Sequence, residues 1–164
     1  MKKIKITSAF IICLFTFQSF YSQENQNVSK DSIEDKKVEL NWMPHYKRAL
    51  KQSNEEKKPI LIYFTGSDWC GPCKMLDKEL FGSEKFKNLA DEKLVILEVD
   101  IPRRLDLLEP KKMKENLTLQ NKYKVKAFPT LMMVNHKGRK IAEKKGYVIT
   151  EYYYPFFDSA LNKY

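Results

Sequence analysis

Cysteine is scarce in this 164-residue chain, which carries it only at positions 13, 70 and 73. So few sulfurs cannot form a disulfide framework, and a chain of this length can bury a core without one. Histidine is scarcer still: His45 and His136 are the only two, neither at ligand spacing, and both read as surface residues. Without a second Cys-x-x-Cys or a histidine pair, the ligands for a zinc site are not there. Repeats and low-complexity tracts are missing, and 43% hydrophobic with 31% charged residues is the balance of one ordinary globular domain. The formal charge is +9, but the lysine pairs at 36, 57, 111 and 144 are spread along the chain. No basic cluster is interleaved with aromatics, so a nucleic-acid surface is not expected; the lysines read as a solvated surface with weak attraction for anionic partners.

No apolar run reaches the roughly 20 residues that a membrane-spanning helix needs. The longest, ITSAFIICLFTF from Ile6 to Phe17, follows MKKIK and leads to Ser19 and Ser22. That layout reads as a secretory signal peptide over residues 1–22, with an uncleaved membrane tether as the alternative. Its removal would take Cys13 and three lysines, lowering the formal charge from +9 to +6. Two cysteines would then remain in an oxidising, periplasmic or otherwise exported setting. A bridge closing only Gly71 and Pro72 constrains the unfolded chain little, which argues against a purely structural role.

Residues 23–37 are polar, lack hydrophobic periodicity and read as a flexible lead-in to a single domain over 38–164. Val38 to Asn41 reads as a short strand. Trp42, Tyr46, Ala49 and Leu50 share one helical face, with Pro44 near the start. ILIYFT (60–65) and LVILEVD (94–100) are unbroken apolar or β-prone runs, as expected of strands covered on both faces. Helices are expected over 71–81, from the Ser83 cap to Ala90, from Pro110 to Tyr123 with Met113 and Leu117 on one face, and from Thr150 to Leu161. Strands at 130–135 and 139–146 flank a turn at Asn135-His136-Lys137-Gly138. The element order predicts an α/β fold with helices packed on a central mixed sheet.

Cys70 and Cys73 stand where the first long strand passes into a helix. Unpaired N–H groups and the helix dipole favour a thiolate at Cys70, while Cys73, Leu76 and Leu80 share a face that turns Cys73 toward the core. An exposed nucleophile with a sheltered resolving thiol is the arrangement that thiol-disulfide exchange requires. Pro72 stiffens the loop, Gly71 separates the sulfurs, and Trp69 is placed to shield them. Two thiolates also suit a soft metal such as copper, so a non-enzymatic metal-handling protein is the alternative of a different class.

WCGPCK (69–74) after ILIYF resembles the active site of the thioredoxin family, and KYKVKAFPTLMMVNHKG (122–138) resembles its second active-site element. The resemblance covers about residues 38–164 and implies a thioredoxin fold. It makes Pro129 a cis proline facing the cysteines and Phe128, Pro129 and Thr130 a substrate groove. It also implies an exported protein-disulfide oxidoreductase, of the kind found in secreted bacterial thioredoxin-like proteins, and its CGPC loop favours reduction over oxidation or isomerisation. Such a protein acts on disulfide-containing proteins without a bound cofactor or metal, is re-reduced by a membrane electron carrier, and is expected to be a monomer. One departure stands out. The family's buried aspartate is replaced by Tyr63 or Phe64, and its lysine partner by Ile96. Glu98 and Asp68 are the candidate substitutes as proton relay, although Glu98 also reads as a strand-end residue and Asp68 as a loop or cap residue whose charge opposes a Cys70 thiolate.

Overall fold

The computed structural model describes residues 38–164. The leader expected over 1–22, with Cys13, and the lead-in over 23–37 lie outside the described residues. Among the described residues, five strands form one mixed sheet in the order β1-β3-β2-β4-β5. These are β1 (Trp42–Met43), β2 (Ile60–Thr65), β3 (Val95–Asp100), β4 (Thr130–Val134) and β5 (Lys140–Lys145). β1 and β2 run parallel to β3, β4 pairs antiparallel with β2, and β5 pairs antiparallel with β4. The α/β class and the central mixed sheet are as expected.

Helices cover both faces. Leu61, Tyr63, Ile96, Leu131 and Met133 point to one side, into a core shared with α2 (Gly71–Leu76), α3 (Glu84–Lys93) and α5 (Tyr153–Leu161). Ile60, Ile62, Phe64, Val95, Leu97 and Val99 point to the other, against α1 (Tyr46–Glu56) and α4 (Pro110–Tyr123). Alternation at period two supplies both faces from one apolar run, and every residue of β2 is buried. Both cysteines belong to the first core.

Two elements depart from expectation, and a third, α4, has the expected bounds but buries another face. Trp42 and Met43 form β1 opposite Ile96 and Leu97, so the strand is not Val38–Asn41 and Trp42 is not on the helix. Pro44 cannot donate to a ladder and ends β1 at once. The buried stripe of α1 is Tyr46, Ala49 and Ser53, and the spacing of Trp42 to it is coincidental. In α4 the buried residues are Asn116 and Leu119, whereas Leu117 is 41% exposed on the face that it shares with Met113. At the C-terminus, Thr150–Tyr152 form a 3-10 turn and α5 begins at Tyr153, so Thr150 is not its cap. The helix expected over 71–81 is α2 continued by a π-helical turn, Asp77–Phe81. Ser83 caps α3 as expected, accepting from the Phe86 N–H at 3.2 Å, and α3 runs on to Lys93.

Candidate active site

Strand β2 delivers the chain to a tight turn in which the Cys70 N–H bonds to the Gly66 carbonyl at 2.8 Å. Cys70 is the N-cap of α2: its backbone is extended (φ −87, ψ 94), and its Sγ accepts the Cys73 N–H at 3.2 Å. Its carbonyl accepts the N–H groups of Cys73 and Lys74. Pro72 occupies the first turn, where a missing N–H costs nothing. The two sulfurs are joined in a disulfide, with Cα atoms 5.2 Å apart. Cys73 is fully buried and Cys70 is 3% exposed. Cys70 is therefore far less open than the sequence suggests, because aromatic side chains close over the pair.

Trp69 and Phe128 pack against the core cluster that holds both cysteines, and their rings meet edge to face at 5.3 Å. The Trp69 indole N–H donates to the Ile101 carbonyl at 2.9 Å, and the Arg103 guanidinium lies 4.8 Å from its ring centre. Gly66 makes this possible, since a Cβ there would fall inside the indole. Gly66→Ala is expected to expel Trp69, seen as a shifted tryptophan emission and faster reduction of the 70–73 disulfide by dithiothreitol. Unchanged emission would mean that the turn yields instead. The Phe128–Pro129 bond is cis. Thr130 begins β4 opposite Phe64, with its hydroxyl donating to the Ala127 carbonyl at 2.8 Å.

The structure separates the two candidate proton carriers. The Asp68 carboxylate accepts the backbone N–H groups of Arg103 (3.0 and 3.1 Å) and Arg104 (3.0 Å). Burial is the largest single influence and raises its pKa, but the backbone N–H groups and the Arg103 charge together outweigh it and hold Asp68 below its ordinary range, so it stays charged and ties two loops together. Glu98 is different. It pairs in register with Tyr63 and lies half-buried on the same face of the sheet. Burial, reinforced by Asp100 and Asp77 and opposed by Lys112, pushes its carboxyl up to about 7. Tyr63 fills the position where the resemblance calls for an aspartate, and its hydroxyl donates to the Cys73 carbonyl at 3.3 Å.

Asp77 completes this group and was missed in the sequence, although its place one helical turn after Cys73 was a usable signal. Burial of its carboxyl end raises its pKa against the Tyr63 hydroxyl, whose hydrogen bond lowers it, and Asp100 adds to the rise, even though the residue as a whole is exposed. Glu98 and Asp100 also line a cleft of about 280 Å³ with Lys112 and Asn116. Asn116 is fully buried; its Nδ2 donates to the Asp100 carbonyl at 2.8 Å, and its Oδ1 has no partner.

Residues 46–160 match the family model of the thioredoxin-like domain, and the chain belongs to the thioredoxin-like family. Among characterised relatives, the disulfide bond reductase DsbH of Chlamydia pneumoniae is 37% identical over 103 residues, 63% of this chain and 61% of that protein. The thioredoxin-related protein DsbJ of the same organism is 30% identical over 141 residues, 86% of this chain but 37% of that protein. The chain thus spans about three-fifths and somewhat over one-third of these two relatives. A solved structure of a DsbH oxidoreductase superposes with a TM-score of 0.68 at 32% identity, over 77% of this chain and 87% of that one.

Proposed function

We propose that this chain is an exported thiol-disulfide oxidoreductase that reduces disulfides in proteins. The observation that carries the reading is the Cys70–Cys73 disulfide at the start of a helix, with Cys73 wholly buried and Cys70 3% exposed. The similarity to a protein named as a disulfide bond reductase supports the direction. In the reduced form the Cys70 thiolate attacks a substrate disulfide, forming a mixed disulfide and releasing one substrate thiolate. The Cys73 thiolate then attacks the Cys70 sulfur, which closes the 70–73 disulfide and releases the second thiolate. Two electrons pass to the substrate, and a membrane electron carrier with a dithiol returns them. The substrate chain lies against the segment at half-buried Phe128, with Pro129 and Thr130 buried behind it as its support. Export rests on the leader over 1–22; among the described residues, no helix is long and apolar enough to cross a membrane.

Cys73 must lose its proton before it resolves the mixed disulfide. We assign the acceptor to the carboxyls of Asp77, which meets the Tyr63 hydroxyl, and of Glu98, which pairs in register with Tyr63 on the next strand, because the Tyr63 hydroxyl reaches the Cys73 carbonyl. Asp68, held charged by two N–H groups, is left with the role of a brace. The test is insulin: the chain should accelerate dithiothreitol-driven precipitation of insulin B chain, and a rate equal to dithiothreitol alone would sink the proposal.

A further inference from the structure

Among the described residues, nothing covers an apolar groove beside the loop that follows β3. Leu105 is 78% exposed and Leu117 is 41% exposed. With Pro110, Met113 and Lys114 they line a groove of about 450 Å³ between the β3–α4 loop and α4. An exposed apolar groove next to a functional turn is a candidate contact surface for a polypeptide held at that turn.

The loop that carries Leu105 is fastened to the active-site turn. Asp68 accepts the N–H groups of Arg103 and Arg104, and the Ile101 carbonyl accepts the Trp69 indole N–H. Arg103 stacks on Trp69, which itself packs against the cluster containing the disulfide. From Arg103 to Leu105 the chain can span at most about 7 Å. A polypeptide bonded to Cys70 therefore meets the groove within roughly four to six extended residues.

Charge selects the occupant. Among the described residues, Arg103 and Lys114 form no salt bridge, whereas Arg104 is neutralised by Asp106 at 2.6 Å. Lys114 is the one charged residue in the groove wall, which holds no carboxylate. A second copy of this basic chain, formally +6 without the expected leader, would meet like charge there. We propose that the Leu105–Met113–Leu117 groove docks the substrate polypeptide beyond its reacting cysteine, favouring a segment of apolar side chains flanked by Asp or Glu. This rests on the exchange activity proposed above. Because the loop is already locked in place, docking orders little of this protein, and the groove discriminates at small entropic cost.

The test uses the full chain and two synthetic peptides, each with one intramolecular disulfide. One is followed by Asp-Leu-Leu-Glu and the other by Lys-Ser-Ser-Lys; hydroxyethyl disulfide serves as the small reference. The acidic-apolar peptide should be reduced about tenfold faster than the basic one, and 0.5 M salt should shrink the difference. In Leu105→Asp and Leu117→Asp the ratio of that peptide's rate to the hydroxyethyl disulfide rate should fall about tenfold. Both positions are exposed, so the fold tolerates the change. Equal peptide rates in the wild type, or an unchanged ratio in both variants, would overturn the groove while leaving the exchange activity standing. Failure to reduce hydroxyethyl disulfide would remove the activity and the groove together. A concentration-dependent dimer lost in Leu117→Asp would give the groove to a second copy and overturn the proposal.

Discussion

Replacing Cys70 by serine is expected to lower insulin reduction by roughly 10³-fold or more, to the level of dithiothreitol alone. A serine hydroxyl stays protonated under conditions where a thiol at a helix start ionises, so the attack on the substrate disulfide has no nucleophile. The fold should survive the change. Cys70 sits at the N-cap, where its Sγ already accepts the Cys73 N–H at 3.2 Å, and serine is among the favoured residues there. Loss of activity with an unchanged circular dichroism spectrum is the predicted outcome. More than a tenth of wild-type activity in this variant would show that Cys70 is not the attacking sulfur.

The second large effect concerns Glu98. Burial raises its carboxyl from 4.5 to about 7, so the folded chain holds this proton more tightly than the unfolded chain does. The resulting stabilisation is complete below pH 4.5 and is lost as the pH climbs through about 7. Glu98→Gln removes the charge that the fold disfavours. At pH 8 the variant should be more stable by about 1–3 kcal/mol, while at pH 4 the two proteins should nearly coincide. Urea unfolding of the oxidised proteins at both pH values measures this. Lys112 opposes the shift and Asp77 and Asp100 enlarge it, so Asp77→Asn should leave a smaller gain. A glutamine cannot accept the Cys73 proton, and closure of the mixed disulfide should slow about 10–10²-fold between pH 6 and 8. A stability gain that is equal at pH 4 and pH 8 would show that Glu98 is not the titrating group, and an unslowed closure would remove it from the proton path.

Much of this arrangement was legible in the residues. ILIYFT and LVILEVD read as central strands because a sheet covered on both faces needs apolar side chains on both. The paired sulfurs were legible from local spacing, while Pro129 came from the family resemblance of KYKVKAFPTLMMVNHKG, and its peptide bond is cis. What failed depended on partners far along the chain. Trp42 fell on the helical period of Tyr46 and Ala49, but pairing with Ile96 made it a strand residue. Met113 and Leu117 do share a face, yet periodicity states only that residues lie together and not which way they look; the core took Asn116 and Leu119. The burial of Cys70 and the placing of Arg103 over Trp69 arise from the meeting of three segments, 64–70, 101–104 and 127–130. The proposed proton path followed the same rule. A tyrosine replaced the expected acid, and the carboxyls lie on the next strand and one turn along the helix, where only the sheet register and the helix bring them to Tyr63.

The measurement closest to the central claim is a trapped intermediate. Cys73→Ser, expressed as the full chain with a C-terminal tag, lacks the resolving thiol and should accumulate mixed disulfides with other proteins. Peptide mapping of those adducts should find the linkage at Cys70. Linkage only through Cys13, or adducts no more abundant than in the Cys70→Ser/Cys73→Ser double variant, would contradict the assignment of Cys70 as the attacking sulfur and of this chain as a disulfide reductase.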